Sequence, residues 1–267
     1  MIARSSIRIL RGTHWGERLR EELAGFSGSE VAWMEQNTQL LKSDSHSRVG
    51  LLQVHGKLCY LKFYRGKSIG QKALFRLGYA RACKSFDAAG GLLRDKVPVP
   101  EPLACLLLPG GIMLLTEGMS GAIDLKAIWQ GKPGESRQAE LMAGAGAALA
   151  QLHRAGYCHG DCKWSNLVWS GEKFYLVDLE AVEKVASGAG IGKKQARDLA
   201  RFVMNAEDLA VSAQLFEFFL NSYLQNSGIS RDRAIGLIMP FLLRLRERHK
   251  VKYGRRGQRI LGEEKND

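Results

Sequence analysis

Gly156-Tyr157-Cys158-His159-Gly160-Asp161-Cys162-Lys163-Trp164-Ser165-Asn166 is the stretch on which the reading of this 267-residue chain turns. Twelve residues further on, Asp178 stands inside Phe174-Tyr175-Leu176-Val177-Asp178-Leu179-Glu180. The two segments together supply an Asp, a Lys, an Asn and a second Asp. An Asp can accept a proton from an attacking hydroxyl. An Asn five residues later can hold a metal, and an Asp at a strand end can bridge that metal to phosphate oxygens. The surroundings suit such a loop. An apolar helix over Ala139–Leu152 runs into Leu152-His153 and a Gly turn. Two short apolar strands follow, Leu167–Trp169 and Phe174–Val177, joined by the hairpin turn Ser170-Gly171-Glu172-Lys173.

Taken singly, these residues mean little, because Asp and Asn are common in turns. Their order and spacing carry the reading. The pattern H-R-D-L-x-x-x-N followed by D-F-G marks phosphoryl-transfer loops of the protein-kinase type. It is met here at His159, Asp161, Asn166 and Asp178, and missed at Gly160, Leu179 and Glu180. The expected fold class is α+β, with two lobes: a small antiparallel-sheet N-lobe over 1–117, five strands plus a helix, and a mainly helical C-lobe over 118–267.

Composition is that of an ordinary globular chain, 45% hydrophobic and 25% charged. No apolar run has the length of a bilayer-spanning helix, and Met1-Ile2-Ala3-Arg4-Ser5-Ser6 lacks the apolar core of a secretory signal. The five Cys form no C-x-x-C and read as reduced thiols. Cys158 and Cys162 flank His159, but no fourth ligand stands at a zinc-site spacing. The formal net charge of +12 asks for an anionic partner. A membrane surface or a polyanionic substrate fits, and no nucleic-acid motif is visible.

In the N-terminal half, residues 1–30 read as a helical lead-in and Val31–Leu41 as a strand. A second strand, Val49–Val54, and a tight turn at His55-Gly56-Lys57 lead into Leu58–Tyr64. Lys62 then lies on the third strand of a meander, where a kinase places the Lys that grips the nucleotide's α- and β-phosphates. The turn between the first two strands has no G-x-G-x-x-G. Ser43, Ser45 and Ser47 occupy it, and Ser45 is a candidate to cover phosphates, although a plain Ser-rich turn reads equally well. Basic sequence runs from Arg65 to Lys84, with helix expected over 73–77 and again over Tyr79–Leu93. Kinases pair the strand Lys with a Glu on the helix that follows. Between Lys62 and Pro100 the only carboxylates are Asp87 and Asp95. Asp87 is the candidate partner, with Asp178 as the alternative.

Val97-Pro98-Val99-Pro100-Glu101-Pro102 breaks the helix, and strands are expected over Leu103–Leu108 and Gly111–Thr116. Glu117-Gly118-Met119-Ser120-Gly121 reads as the hinge, where adenine would meet backbone near Glu117 and Met119. Helices are expected over 124–130, 136–153, Lys193–Phe202, Glu207–Gln225 and Arg231–Arg248. Asp198, early in an apolar helix, reads as a buried carboxylate that accepts backbone N–H bonds from the catalytic loop, with His159 also structural. The tail from Arg244 to Arg259 holds eight Lys or Arg against one Glu.

The chain resembles the bacterial lipopolysaccharide kinases, the Kdo and heptose kinases of the inner core. The residues that carry the resemblance are Leu61-Lys62-Phe63-Tyr64, Pro98-Val99-Pro100-Glu101-Pro102, Leu114-Leu115-Thr116-Glu117, Leu152-His153, the His159–Asn166 loop, Val177-Asp178-Leu179-Glu180 and Arg197-Asp198-Leu199-Ala200-Arg201-Phe202. The resemblance implies ATP and Mg2+ as cofactors and a lipopolysaccharide core or lipid-A-linked sugar as acceptor. It implies a cytoplasmic enzyme at the inner face of the inner membrane. It also implies Asp161 as catalytic base, Lys163 at the transferred phosphoryl group, Asn166 and Asp178 as magnesium ligands and Lys62 on the ATP phosphates. An atypical protein kinase and a scaffolding pseudokinase share these motifs and stand as alternatives.

Overall fold

The computed structural model describes residues 2–44, 47–66, 70, 75, 81–185, 191–254 and 259–262. Ser45, the helix expected over 73–77 apart from Phe75, and part of the basic tail lie outside them. The chain forms two compact units, Met1–Arg94 with Val99–Gly121, and Asp95–Pro98 with Ala122–Asp267.

The first unit is built on an antiparallel sheet. Its strands are Arg8–Arg11 (β1), Gln39–Ser43 (β2), Ser47–Val54 (β3), Lys57–Arg65 (β4), Pro102–Leu108 (β5) and Gly111–Glu117 (β6), in the order β1-β5-β6-β4-β3-β2. Six strands stand where five were expected, because Arg8–Arg11, read from sequence as helical, pairs with β5 through Arg8–Leu107 and Ile9–Leu106. Helix α1 (Thr13–Leu23) follows β1, and Glu30–Asn37 forms α2. The strand expected over Val31–Leu41 is therefore corrected. Ser29 caps α2, its hydroxyl accepting the Ala32 N–H at 3.3 Å, and the chain turns extended only from Thr38. Helix α3 covers Arg81–Arg94.

Strand alternation sorts β4 between two faces. Cys59, Leu61 and Phe63 point into a core shared with Leu19 and Leu23 of α1 and Trp33 and Met34 of α2. Tyr64 lies on the other face, against Cys105, Ile112 and Leu114 and the Ala82 and Cys83 of α3. Lys62 pairs in register with Leu114 and so shares the α3 face.

The second unit is mainly helical. Its helices are α4 (Leu125–Gln130), α5 (Glu135–Arg154), α6 (Lys193–Asp208), α7 (Ala213–Ser227) and α8 (Arg231–Tyr253). The single helix expected over Glu207–Gln225 is broken: α6 ends at Asp208 and Ser212 starts α7, its hydroxyl accepting the Leu215 N–H. Helices α5 and α7 pack closely because Gly146 has no Cβ. One built there would stand 2.4 Å from the Phe219 carbonyl oxygen. Short strands complete the unit: β7 (Ile123–Asp124), β8 (Tyr157–Cys158), β9 (Leu167–Ser170), β10 (Lys173–Leu176) and β11 (Glu183–Lys184). Strands β7, β9 and β10 form one sheet, and β8 pairs with β11. Between β8 and β9 lies the His159–Asn166 loop, and just after β10 comes Asp178.

Candidate active site

Helix α6 holds the loop from beneath. The buried Asp198 carboxylate accepts the His159 N–H at 2.5 Å and the Gly160 N–H at 2.9 Å. The side chain of Gln195, one turn earlier, donates to the carbonyls of His153 and Tyr157 at 2.8 and 3.1 Å. Trp164 is fully buried and lies 5.2 Å from Phe202 by ring centroids. Its backbone N–H donates to Asn205 Oδ1 at 2.9 Å and its indole N–H to the Phe202 carbonyl at 3.1 Å. The loop is thus fixed at both ends by one helix.

His159 ties this loop to the Asp178 segment. Its Nε2 lies 3.1 Å from the Val177 carbonyl, which can only accept, so Nε2 carries the proton. The unprotonated Nδ1 faces the Asp161 N–H at 3.4 Å. Burial pushes the His159 pKa below its ordinary 6.5 and keeps the ring neutral. The Val177 N–H in turn donates to the Asn166 carbonyl at 3.0 Å. Asp178 follows in the left-handed region, φ 60 and ψ 56, a conformation that Asp tolerates better than most residues.

The Asp161 carboxylate is bracketed by donors. Lys163 Nζ lies 2.9 Å from its Oδ2 and Arg201 Nη1 3.3 Å from its Oδ1; Asn166 Nδ2 donates to the Asp161 main-chain carbonyl at 2.9 Å and lies 3.4 Å from Oδ2. The carboxylate is about two-fifths exposed, so a hydroxyl can reach it. With Asn166 Nδ2 turned toward Asp161, its Oδ1 takes no hydrogen bond among the described residues. An amide oxygen and a carboxylate are hard-oxygen donors of the kind that suits magnesium shared with phosphate oxygens, and Asp178 is exposed.

Gly160 stands where the kinase pattern has Arg. Its φ is +77, and a Cβ there would lie 2.4 Å from the Ala181 carbonyl oxygen. The close approach of the segment after Asp178 therefore requires glycine. Arg201 donates to the Gly160 carbonyl, so a guanidinium from α6 serves this corner of the loop.

In the first unit, Lys62 is half-buried, with its Nζ 5.0 Å from the centre of the Tyr64 ring. The expected Lys62–Asp87 pair is corrected. Both Asp87 oxygens bind Arg11, Nε to Oδ1 at 2.9 Å and Nη2 to Oδ2 at 3.1 Å. Arg11 is on β1, which β5 and β6 separate from β4. Among the described residues no ion pair joins Asp87 to Lys62. At the end of β6 the Glu117 N–H is spent on the Glu101 carbonyl at 2.9 Å, and the Gly118 N–H on the Leu58 carbonyl at 2.9 Å. The Met119 N–H has no hydrogen-bond partner among the described residues, which leaves Met119 rather than Glu117 as a backbone donor.

Sequence reasoning missed Arg201, Gln195, Asn205 and Trp164 as parts of this site. Three of them recur every three or four residues along α6 from Asp198, a periodicity the sequence does show.

The fold and the loop define a kinase-fold phosphotransferase. The description "Lipopolysaccharide kinase (Kdo/WaaP) family" matches residues 31–223, and the chain belongs to this family. A 3-deoxy-D-manno-octulosonic acid kinase of Vibrio vulnificus (strain YJ016) is 29% identical over 174 residues, covering 61% of this chain and 71% of that protein. A probable bifunctional tRNA threonylcarbamoyladenosine biosynthesis protein of Methanocorpusculum labreanum is 44% identical over 40 residues, 15% of this chain and 8% of that one, a local likeness. Among solved structures, WaaP in complex with acyl carrier protein has a TM-score of 0.56 at 20% identity, with 82% of this chain and 92% of that chain covered, and shows a shared fold.

Proposed function

We propose that this protein transfers the terminal phosphoryl group of ATP to a sugar hydroxyl of the lipopolysaccharide inner core, with Kdo as the acceptor sugar. The observation that carries the reading is the Asp161 carboxylate, open to solvent and held by Lys163 and Arg201, with a longer Asn166 contact at 3.4 Å, on a loop pinned by Asp198. The named Kdo kinase among its relatives supports Kdo over heptose.

In this reading Asp161 accepts the proton of the attacking hydroxyl. Lys163 moves from Asp161 toward the transferred group as charge builds on its oxygens. Asn166 Oδ1 and Asp178 would hold magnesium, whose contribution is to neutralise phosphate charge. Lys62 holds the nucleotide phosphates, and Met119 offers its N–H to the adenine. The formal charge of +12 would draw the enzyme to an anionic membrane face on the cytoplasmic side. No helix among the described residues is long and apolar enough to cross a membrane.

The test is incubation with labelled ATP, magnesium and purified core acceptors carrying Kdo alone or Kdo with heptose, followed by mass spectrometry of the sugars. Phosphate on Kdo in both acceptors is expected. Phosphate on heptose alone would reassign the acceptor, and no transfer to either would overturn the reading.

A further inference from the structure

Lys193, Arg197 and Arg201 stand at four-residue spacing on α6, the first two exposed and Arg201 half-buried. Residues four apart share one helix face, with successive positions about 6 Å along the axis. Arg201 ends the row at the catalytic loop, on Gly160 and Asp161. One turn back, the Arg197 guanidinium carbon lies 5.3 Å from the centre of the Phe241 ring of α8. The Arg244 guanidinium lies 5.9 Å from the same centre.

Two like charges on one ring repel each other. Attraction of each to the ring face offsets part of that, and among the described residues neither Arg197 nor Arg244 forms an ion pair. The acidic residues of α6 are engaged elsewhere. Asp198 takes the loop amides, Glu207 binds Arg246, and Asp208 lies 3.5 Å from His249. A guanidinium laid on a phenyl ring keeps its N–H edge free and pre-oriented for the two oxygens of a phosphate or carboxylate.

We infer that Arg197 and Arg244, with Phe241 as their platform, bind a second anionic group, a phosphate or carboxylate, carried by the acceptor saccharide itself. The acceptor would then lie along α6, with its reacting hydroxyl at Asp161 and its second anion on the arginine pair. The identity of the acceptor rests on the function proposed above. The charge pattern does not, since it is read from α6 and α8 alone.

The test compares steady-state kinetics on a Kdo-bearing core acceptor with its phosphates intact and on the same acceptor after enzymatic dephosphorylation. The proteins are wild type, Arg197→Gln, Arg244→Gln, the double Gln variant and the double Lys variant. On the intact acceptor the double Gln variant should raise acceptor KM about 10-fold or more, with kcat and the KM for ATP near wild type. Dephosphorylating the acceptor should raise the wild-type KM by a similar factor and leave the double Gln variant unmoved. The double Lys variant should recover part of the loss. Equal losses on both acceptors, or a change confined to kcat or to the KM for ATP, would overturn the inference. If the double Gln variant loses its cooperative melting transition, the single variants carry the test, each with a smaller rise in acceptor KM. If the wild type phosphorylates no core saccharide, the proposed function fails separately. Calorimetric titration with a bis-phosphorylated glucosamine disaccharide, without nucleotide, then decides the site. Binding by wild type that is lost in the single Gln variants upholds it, and no binding by wild type overturns it.

Discussion

Gly160 shows how one position sets what the loop can be. An Arg there would need a Cβ in the space of the Ala181 carbonyl and a backbone at positive φ. Gly160→Ala should therefore lower stability by about 2 kcal/mol or more, since both a strained φ and a backbone contact are imposed. Thermal melting checks this, and an unchanged melting temperature would mean that Ala181 moves aside freely. His159 makes a second case. Its folded pKa is depressed by burial, so the unfolded chain binds the proton more readily. Its contribution to stability is full above the ordinary 6.5 and is lost as pH falls from there toward the lowered folded value. Denaturant titrations from pH 7.5 down to pH 5 should show wild type losing stability relative to His159→Asn at up to about 1.4 kcal/mol per pH unit. Parallel pH profiles of the two proteins would contradict the neutral, buried His159.

At the scale of elements, what the sequence showed and what it hid divide along a physical line. The loop between β8 and β9, the position of Asp178 after β10 and the Asp198 anchor were legible because they depend on spacing within one or two adjacent segments. Strand β1 was not: Arg8-Ile9-Leu10-Arg11 is short, and only pairing with β5 makes it a strand. That omission produced the Asp87 error, since the true partner, Arg11, lies on the missed strand. Helix α2 could have been found from Ser29-Glu30, a cap residue followed by an acid, had those been weighed above the apolar run after them. The Arg11–Asp87 pair is exposed, about two-fifths at Arg11 and half at Asp87. Asp87→Ala should cost only about 0.2–1 kcal/mol and leave turnover at the wild-type level. A turnover loss matching that of Lys62→Ala would put Asp87 back beside the nucleotide.

At the scale of the whole molecule, composition bounded the answer without choosing it. An excess of basic residues suits an anionic acceptor, a membrane face or both, and among the described residues Arg197, Arg201 and Arg244 are where the proposed anion site draws on it. Asp161 keeps its Lys163, Arg201 and Asn166 partners, and Asp178 is held beside the loop through Val177, an arrangement that the proposed transfer needs and a scaffold does not. The most direct measurement is phosphoryl transfer from labelled ATP to a Kdo-bearing core acceptor by wild type and Asp161→Asn, with nucleotide affinity taken by calorimetry on the same samples. Wild type should transfer. The variant should lose about 1,000-fold in turnover, as expected when a general base is removed, and should bind nucleotide as wild type does. Transfer by Asp161→Asn at the wild-type rate, or none by wild type on any core acceptor, would contradict the assignment of Asp161 as the base of a core sugar kinase.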